Sequence, residues 1–274
     1  MTATLSYVER DSVIHKLTGT AKLVFFLSWS IAAMITYDTR ILVAMILGGS
    51  YLFVLSKISF KEVRFVVTIM AVFMAMNMIG IYIFSPEQGV EIYGTRHELV
   101  HLVGRYSIVA EQLFYMFNFF LKYLAVVPVA LLFILTTNPS EFASSLNKIG
   151  VSYRVGYAVS IALRYIPDIQ RDYHEISQAQ QARGIDLSKK DHFLTRMKNS
   201  AAILFPLVLS SLHRIETISN AMELRGFGKK KKRTWIVQRP FVRKDYIAMG
   251  IALAILVISL GVTIFLGRYW NPFV

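Results

Sequence analysis

The sequence contains no cysteine, and this absence excludes disulfide bonds, thiol catalysis and cysteine-based metal sites. Charged residues are also scarce, at 17% of the 274 residues against about 25% in a typical soluble domain. Acidic residues are the scarcer kind, because 17 Asp and Glu stand against 30 Lys and Arg, for a net charge of +13. The 55% hydrophobic content excludes disorder and an ordinary water-soluble enzyme. We therefore expect a membrane protein with an anionic partner.

Five apolar segments fit membrane-spanning helices, which need about 20 apolar residues to cross ~30 Å of hydrocarbon. Segments 65–84 and 247–267 reach this length without a charge. Segments 23–37 and 41–55 are shorter, but flanking lysine and arginine side chains can extend them. Segment 113–135 contains a single charged residue, Lys122, and its helix is expected to begin near Tyr106. The predicted fold is all-α, an integral membrane protein with about five spans.

Lys122 allows two interpretations. An ionisable residue inside a span often marks a transport pathway. Alternatively, its long side chain reaches the membrane surface where an over-long helix leaves the lipid. We favour the second interpretation.

The distribution of basic residues predicts the topology. Of the 30 Lys and Arg, 19 lie between residues 137 and 244, against 8 acids there, and basic loops face the cytoplasm. We expect residues 1–136 to form transmembrane helices 1–4, residues 137–244 a cytoplasmic region, and residues 245–274 the last transmembrane helix. The amino terminus is then cytoplasmic and the carboxyl terminus extracellular.

The region 137–244 has helical periodicity. A helix start is predicted at residues 137–141, and a second helix is predicted from about Ser152 towards Arg183. Pro167 is expected to kink or interrupt this second helix. A further amphipathic run covers residues 204–222, and its start, 201–209, is expected to lie against the membrane surface.

Both long helices are predicted to end in the same way. Ala182, Arg183 and Gly184 close the first, and Leu224, Arg225 and Gly226 close the second. Glycine is expected just past a helix end, and arginine there complements the helix dipole. An arginine fork at a helix tip is also suited to carboxylate or carbonyl oxygens of a partner. Two copies favour a partner with two equivalent pockets.

At these residues the sequence resembles the transmembrane T component of energy-coupling factor (ECF) transporters, an importing branch of the ATP-binding-cassette (ABC) systems. The resemblance covers nearly the whole chain and is most specific from 135 to 228. The family carries two Ala-Arg-Gly signatures at the ends of its coupling helices. Arg183 matches the first in full, whereas Leu224 replaces the alanine of the second.

The resemblance implies a non-catalytic subunit with several partners. Two cytoplasmic ABC ATPase subunits each receive one coupling-helix end, formed here by Ala182, Arg183 and Gly184 and by Leu224, Arg225 and Gly226. A separate substrate-binding S component, also a membrane protein, takes up a vitamin or a metal. The resemblance implies no cofactor, no resident metal and no catalytic residue in this chain.

Two alternative functions come from other features. Residues 97–101 match H-E-x-x-H, which on a helix places His97 and His101 on one face for zinc. A zinc-dependent membrane hydrolase is therefore one alternative, although no third ligand is obvious. A self-sufficient membrane carrier is the other, but its spans should hold ionisable pairs or broken helices. No phosphate-binding loop occurs in the sequence, so ATP hydrolysis by this chain alone is not expected.

A basic run follows the second helix, at residues 229–233. Such a run can bind nucleic acid, but beside a membrane span it favours attraction to anionic lipid, at about 1 kcal/mol per lysine. We expect anionic lipid and no nucleic acid as its partner.

Overall fold

The computed structural model describes residues 10–103, 106–185, 193–230, 234–235, 238–265 and 267–273. Within these residues helices dominate, which confirms the all-α class. In chain order the elements are α1 Gly19–Ile35, α2 Thr39–Leu55, α3 Phe60–Phe84, α4 Gln88–Tyr93, β1 Glu98–Val103, β2 Tyr106–Val109, α5 Ala110–Thr136, α6 Pro139–Lys148, α7 Tyr153–Ala182, α8 Phe193–Leu224 and α9 Arg243–Phe265. The chain divides into unit 1, residues 1–138 with 239–274, and unit 2, residues 139–238.

Four of these helices are long and apolar enough to cross a membrane. They are α3, α5, α9 and the part of α8 from Met197 to Leu224. The apolar helices α1 and α2 have 17 residues each, which is the lower end of the range for a span. Their starts are fixed by the side chains of Thr18 and Asp38, which accept bonds from backbone N–H groups of the first turn.

Helices α1 and α5 of unit 1 run antiparallel, and a lysine of each helix binds a carbonyl oxygen at the C-terminal end of the other. Lys22 Nζ donates to the carbonyl oxygen of Thr136 at 2.6 Å, at the end of α5. Lys122 Nζ donates to the carbonyl oxygen of Met34 at 2.7 Å, in the last turn of α1. A cation at a helix C-terminus satisfies an orphan carbonyl and complements the dipole. Lys122 thus has a structural role at the end of α1.

Helices α1 and α9 run parallel. At their starts the backbone N–H of Thr18 donates to Asp245 Oδ1 at 2.8 Å, and the N–H of Val242 donates to Oδ2 at 2.8 Å. At their far ends the N–H of Tyr37 donates to the carbonyl oxygen of Arg268 at 3.0 Å. The fully buried Asp245 carboxylate therefore binds backbone donors at the starts of both helices.

Further contacts within unit 1 give the directions of α2 and α3 relative to α5. Helix α2 runs parallel to α5, because Thr39 bonds Asn118 and Gly49 lies near Val129. Helix α3 is antiparallel to α5, with Val63 in the cluster that includes Leu135. Consequently α1, α3 and α9 run in one direction, and α2 and α5 run in the other.

The segment before α5 differs from the sequence-based expectation. The predicted helix start near Tyr106 is wrong, because Tyr106–Val109 forms β2 and pairs antiparallel with β1, for example Glu98 with Val109. Tyrosine, isoleucine and valine favour strands, and the hairpin provides their backbone partners. Helix α5 begins only at Ala110.

Candidate functional site

The ends of α7 and α8 have the same backbone geometry. After α7 the N–H of Gly184 donates to the carbonyl of Gln181, and that of Ile185 donates to Gln180, at 3.0 and 3.1 Å. After α8 the N–H groups of Gly226 and Phe227 make the equivalent bonds to Glu223 and Met222, both at 2.9 Å. This pair of bonds defines the Schellman cap.

Glycine is required at both caps because the backbone turns left-handed there. The φ angle is +86° at Gly184 and +66° at Gly226, a region that penalises a Cβ atom. The residue before each glycine is arginine, and both Arg183 and Arg225 are exposed. Leu224, where the first end has Ala182, is also exposed, at 90%. The sequence therefore forms two exposed helix tips with arginine at the same position.

The two tips lie at opposite ends of an antiparallel pair of helices. Near the end of α7, Gln180 Nε2 donates at 3.2 Å to the carbonyl oxygen of Ala202, which lies in the first third of α8. At the other end the ring of Phe227 lies 4.9 Å from that of Tyr157. From residue 157 to residue 183 the helix rises about 40 Å, at ~1.5 Å per residue. Arg225 precedes Phe227 by two residues, so Arg183 and Arg225 are about 35 Å apart along the pair.

The tip that carries Arg225 is anchored to the start of α7. The ring of Phe227 contacts Tyr153 and Tyr157, with centroids 5.7 and 4.9 Å away. Arg154 Nη2 donates to the carbonyl oxygen of Gly228 at 3.2 Å. Trp235 continues this contact, because its ring lies 6.4 Å from that of Tyr157. This anchor was not predicted from the sequence, because the aromatic residues that form it are far apart in the chain.

Pro167 does not interrupt α7, which is continuous from Tyr153 to Ala182. That part of the expectation is wrong, whereas a kink stays a prediction. A proline inside a helix removes one N–H donor, and here the flanking turns continue on both sides.

Both long helices expose apolar side chains. On α7, Ile166, Ile169 and Tyr173, which belong to the predicted apolar face, are 40–48% exposed. On α8 the exposed positions include Leu204, Phe205, Val208, Leu209, Leu212 and Ile215, each above 50%. Unit 2 therefore presents two apolar helix faces to its surroundings.

The H-E-x-x-H match does not form the helical geometry that zinc hydrolases use. Residues 98–103 form β1, so the Cα atoms of His97 and His101 are separated by about 13 Å of extended chain, instead of the ~6 Å of one helical turn. His97 Nδ1 lies 2.6 Å from Oε1 of the fully buried Glu111. His97 is thus placed beside a carboxylate of α5.

A cleft of about 490 Å³ in unit 1 is lined almost wholly by apolar side chains, among them Trp29, Met45 and Ile255. Lys22 is its charged lining residue, and its ammonium group already bonds the end of α5. A site for a polar substrate needs several convergent polar groups. This cleft gives the carrier alternative no support.

Comparisons with known proteins agree with the motifs. A family model described as CbiQ, cobalt transport protein, matches residues 10–236. The "Energy-coupling factor transporter transmembrane protein EcfT" of Streptococcus thermophilus is 26% identical over 238 residues, which cover 83% of this chain and 86% of that protein. The protein of the same name from Lactococcus lactis subsp. cremoris is 27% identical over 251 residues, which cover 87% and 89%. The resemblance drawn from the motifs is confirmed, and the chain belongs to the CbiQ family of transport proteins.

Proposed function

We propose that this chain is the transmembrane coupling subunit of an ECF-type ABC importer. It links ATP hydrolysis by two cytoplasmic ATPase subunits to movement of a separate substrate-binding membrane subunit, for vitamin or metal uptake. The observation that carries the proposal is the pair of equally capped, exposed arginine tips at opposite ends of α7 and α8.

The separation of the tips supports two ATPase subunits instead of one. Two arginine forks about 35 Å apart are too far from each other to enter a single pocket. Each tip, formed by Ala182, Arg183 and Gly184 or by Leu224, Arg225 and Gly226, enters a groove of one subunit. The guanidinium binds carboxylate or carbonyl oxygens there with a geometry that lysine does not reproduce.

The exposed apolar faces of α7 and α8 support a membrane-embedded partner. A helix that is apolar on one side and polar on the other commonly docks on a complementary surface. The S component packs against these faces in the proposal, and movement of α7 and α8 reorients it. The substrate is then recognised by the S component, and this chain has no catalytic role.

We infer the topology from unit 1. The end of α5 and the start of α9 both contact the start of α1, through Lys22 and Asp245. The insert between them therefore begins and ends on one side of the membrane, so it crosses an even number of times. Helix α7 has too many charges to cross. Helix α8 then lies outside the hydrocarbon, despite its length.

Basic residues identify that side as cytoplasmic in the proposal. Lys57, Lys61 and Arg64 lie around the start of α3, at the same end of unit 1 as the start of α9, and they follow the positive-inside rule. The amino terminus is cytoplasmic and the carboxyl terminus extracellular, in a cell membrane. Lys229 and Lys230 face anionic lipid; the remainder of this basic run, 231–233, lies outside the described residues.

The experiment is charge reversal at the tips. The chain is purified from its own membranes with associated subunits, and ATPase subunits are quantified by mass spectrometry. Arg183→Glu and Arg225→Glu should each weaken ATPase binding at least about tenfold, because a charge-assisted hydrogen bond contributes ~1.5–3 kcal/mol. The double variant should retain almost none.

Arg164→Glu is the matched control, because Arg164 is an exposed arginine in the middle of α7. It should retain the ATPase subunits at the wild-type level. Full retention by the double variant of Arg183 and Arg225 would show the proposal to be wrong.

A further inference from the structure

A cluster of charged residues lies where α7 and α8 pack side by side, midway along the pair. Asp172 Oδ2 and Arg214 Nη2 are 2.6 Å apart, and their side chains are only 20% and 34% exposed. The guanidinium of Arg214 also lies 5.7 Å from the ring centre of Tyr165 on α7. A polar cleft of about 450 Å³ surrounds the pair. Arg214 is thus held to α7 at two points.

The position of this ion pair relative to the tips is symmetrical. Asp172 precedes Arg183 by eleven residues on α7, and Arg214 precedes Arg225 by eleven residues on α8. At ~1.5 Å per residue each arm is about 16 Å long. Since the helices are antiparallel, the arms extend in opposite directions from the pair.

The other contacts that connect α7 to the α8 side are of different kinds. Gln180 and Arg154 donate to backbone carbonyls, and Phe227, just past α8, makes aromatic ring contacts. Contacts to a neutral carbonyl or ring adapt to small sliding movements. A half-buried ion pair adapts less, because sliding by one turn, about 5.4 Å, separates Arg214 from Asp172, and their attraction then no longer offsets the desolvation of the two charges.

A half-buried ion pair adds little net stability, since desolvation of both charges offsets their attraction. Its clearer effect is to select one register between two elements, which is the best-supported use of such pairs. Here the register decides where each arginine tip stands relative to the other.

We propose that Asp172 and Arg214 form a latch that fixes the crossing point of α7 and α8. Displacement of one arginine tip is then transmitted to the other across a fixed point, and the two helices move as connected arms. Asp172 and Arg214 are positioning residues in this account, which rests on the proposed coupling function. Without this ion pair, α7 and α8 slide along each other, and an ATP-driven displacement of one tip is not transmitted to the other.

The absence of cysteine makes a distance measurement straightforward. Cysteines replace Gln181 and Glu223, which are exposed next to the tips, and carry spin labels. The complex with its associated subunits is placed in lipid nanodiscs, and pulsed electron paramagnetic resonance measures the distance between the labels with and without ATP. The wild-type background should give a narrow distribution that shifts with ATP.

Asp172→Asn and Arg214→Gln should each at least double the width of the distribution and reduce the ATP-dependent shift by half or more. The exchanged pair, Asp172→Arg with Arg214→Asp, should restore both quantities to within about 20% of the wild type. Glu216→Gln is the matched control, because Glu216 lies 3.9 Å from His213 on its own helix, away from the residues that line this cleft. It should leave both quantities unchanged.

Wild-type width and shift in the single variants would overturn the latch, and so would an exchanged pair that fails to restore them. If a single variant does not assemble, the exchanged pair decides alone: restored assembly with a normal shift supports the latch, and failure overturns it. Co-purification of the ATPase subunits separates the two proposals. The latch variants should retain these subunits, whereas their absence from the wild-type complex would refute the coupling function itself.

Discussion

The two arginine tips share one cap geometry and differ in what holds them. The tip at Arg225 is followed by Phe227, whose ring packs on Tyr153 and Tyr157, and by Gly228, whose carbonyl accepts a bond from Arg154. The tip at Arg183 is followed by Ile185, whose N–H completes the cap. The backbone cap is therefore common to both tips, and the aromatic anchor is a separate feature of the tip at Arg225.

The same Schellman cap therefore occurs at both tips, although different contacts hold the residues around it. Among the residues that the structure describes, an added Cβ at Gly184 would meet no atom within 4 Å, whereas at Gly226 it would meet the side chain of Lys229 at 3.4 Å. Near the first tip, α7 is joined to α8 by the bond from Gln180 to Ala202, and the second tip is joined to the start of α7 by the ring of Phe227. Variants that separate cap from anchor test this comparison.

The largest effect is expected from Phe227→Ala. Removal of a buried phenylalanine costs about 3–5 kcal/mol, and the half-buried Phe227 should cost about 1–3 kcal/mol. Amide hydrogen exchange at residues 222–228 should accelerate about thirtyfold, which corresponds to about 2 kcal/mol, while exchange at residues 180–185 stays unchanged. Tyr173→Ala, at an exposed ring on α7, is the control and should affect neither segment. Equal acceleration at both tips would show that the anchor is not specific to the second.

A smaller and equal effect is expected from Gly184→Ala and Gly226→Ala. An L-residue in the left-handed region costs about 1–2 kcal/mol, and both glycines have positive φ. Exchange of the cap amides of Ile185 and Phe227 should therefore rise about fivefold or more in the respective variant.

The control for these caps is Gly261→Ala, inside α9, where an added Cβ would meet no described atom within 4 Å. It should be neutral or stabilising, because alanine is the better helix former. Unchanged exchange in both cap variants, as in this control, would show that the left-handed glycine does not stabilise the two helix ends.

The smallest effect is expected from Leu224→Ala, which restores the alanine of the family signature. Leu224 is 90% exposed, and surface substitutions usually change stability by less than about 0.5 kcal/mol. ATPase retention, measured by quantitative mass spectrometry, should stay within twofold of the wild type. A tenfold change would mean that the side chain before Arg225 takes part in the contact.

Much of unit 2 could be predicted from the sequence because its signals are local. Ser152 caps α7, and Gly184 and Gly226 follow the helices they terminate, as their residue types indicate. The hairpin at residues 98–109 was missed, although a run rich in valine, leucine and isoleucine with a central glycine is a strand signal. The H-E-x-x-H match drew attention to helical spacing instead.

The pairs that organise the structure could not be predicted, because they join distant parts of the chain. Lys22 bonds a carbonyl oxygen 114 residues away in the chain, and Lys122 bonds one 88 residues away. No local sequence signal identifies either of these carbonyl groups. Asp172 and Arg214 are equally ordinary charges on amphipathic helices until α7 and α8 pack together. Tertiary packing alone assigns these partners.

The most direct test of the central claim is site-specific crosslinking from the tips. A single cysteine replaces Ala182 or Leu224 in this cysteine-free chain, carries a photo-activated crosslinker, and is irradiated in native membranes before mass spectrometry. Arg96→Cys, before β1 in the segment that the proposed topology places outside the cell, is the control. The account predicts that positions 182 and 224 both crosslink to ATPase subunits and position 96 does not. Lipid or water adducts alone at both tips would contradict it.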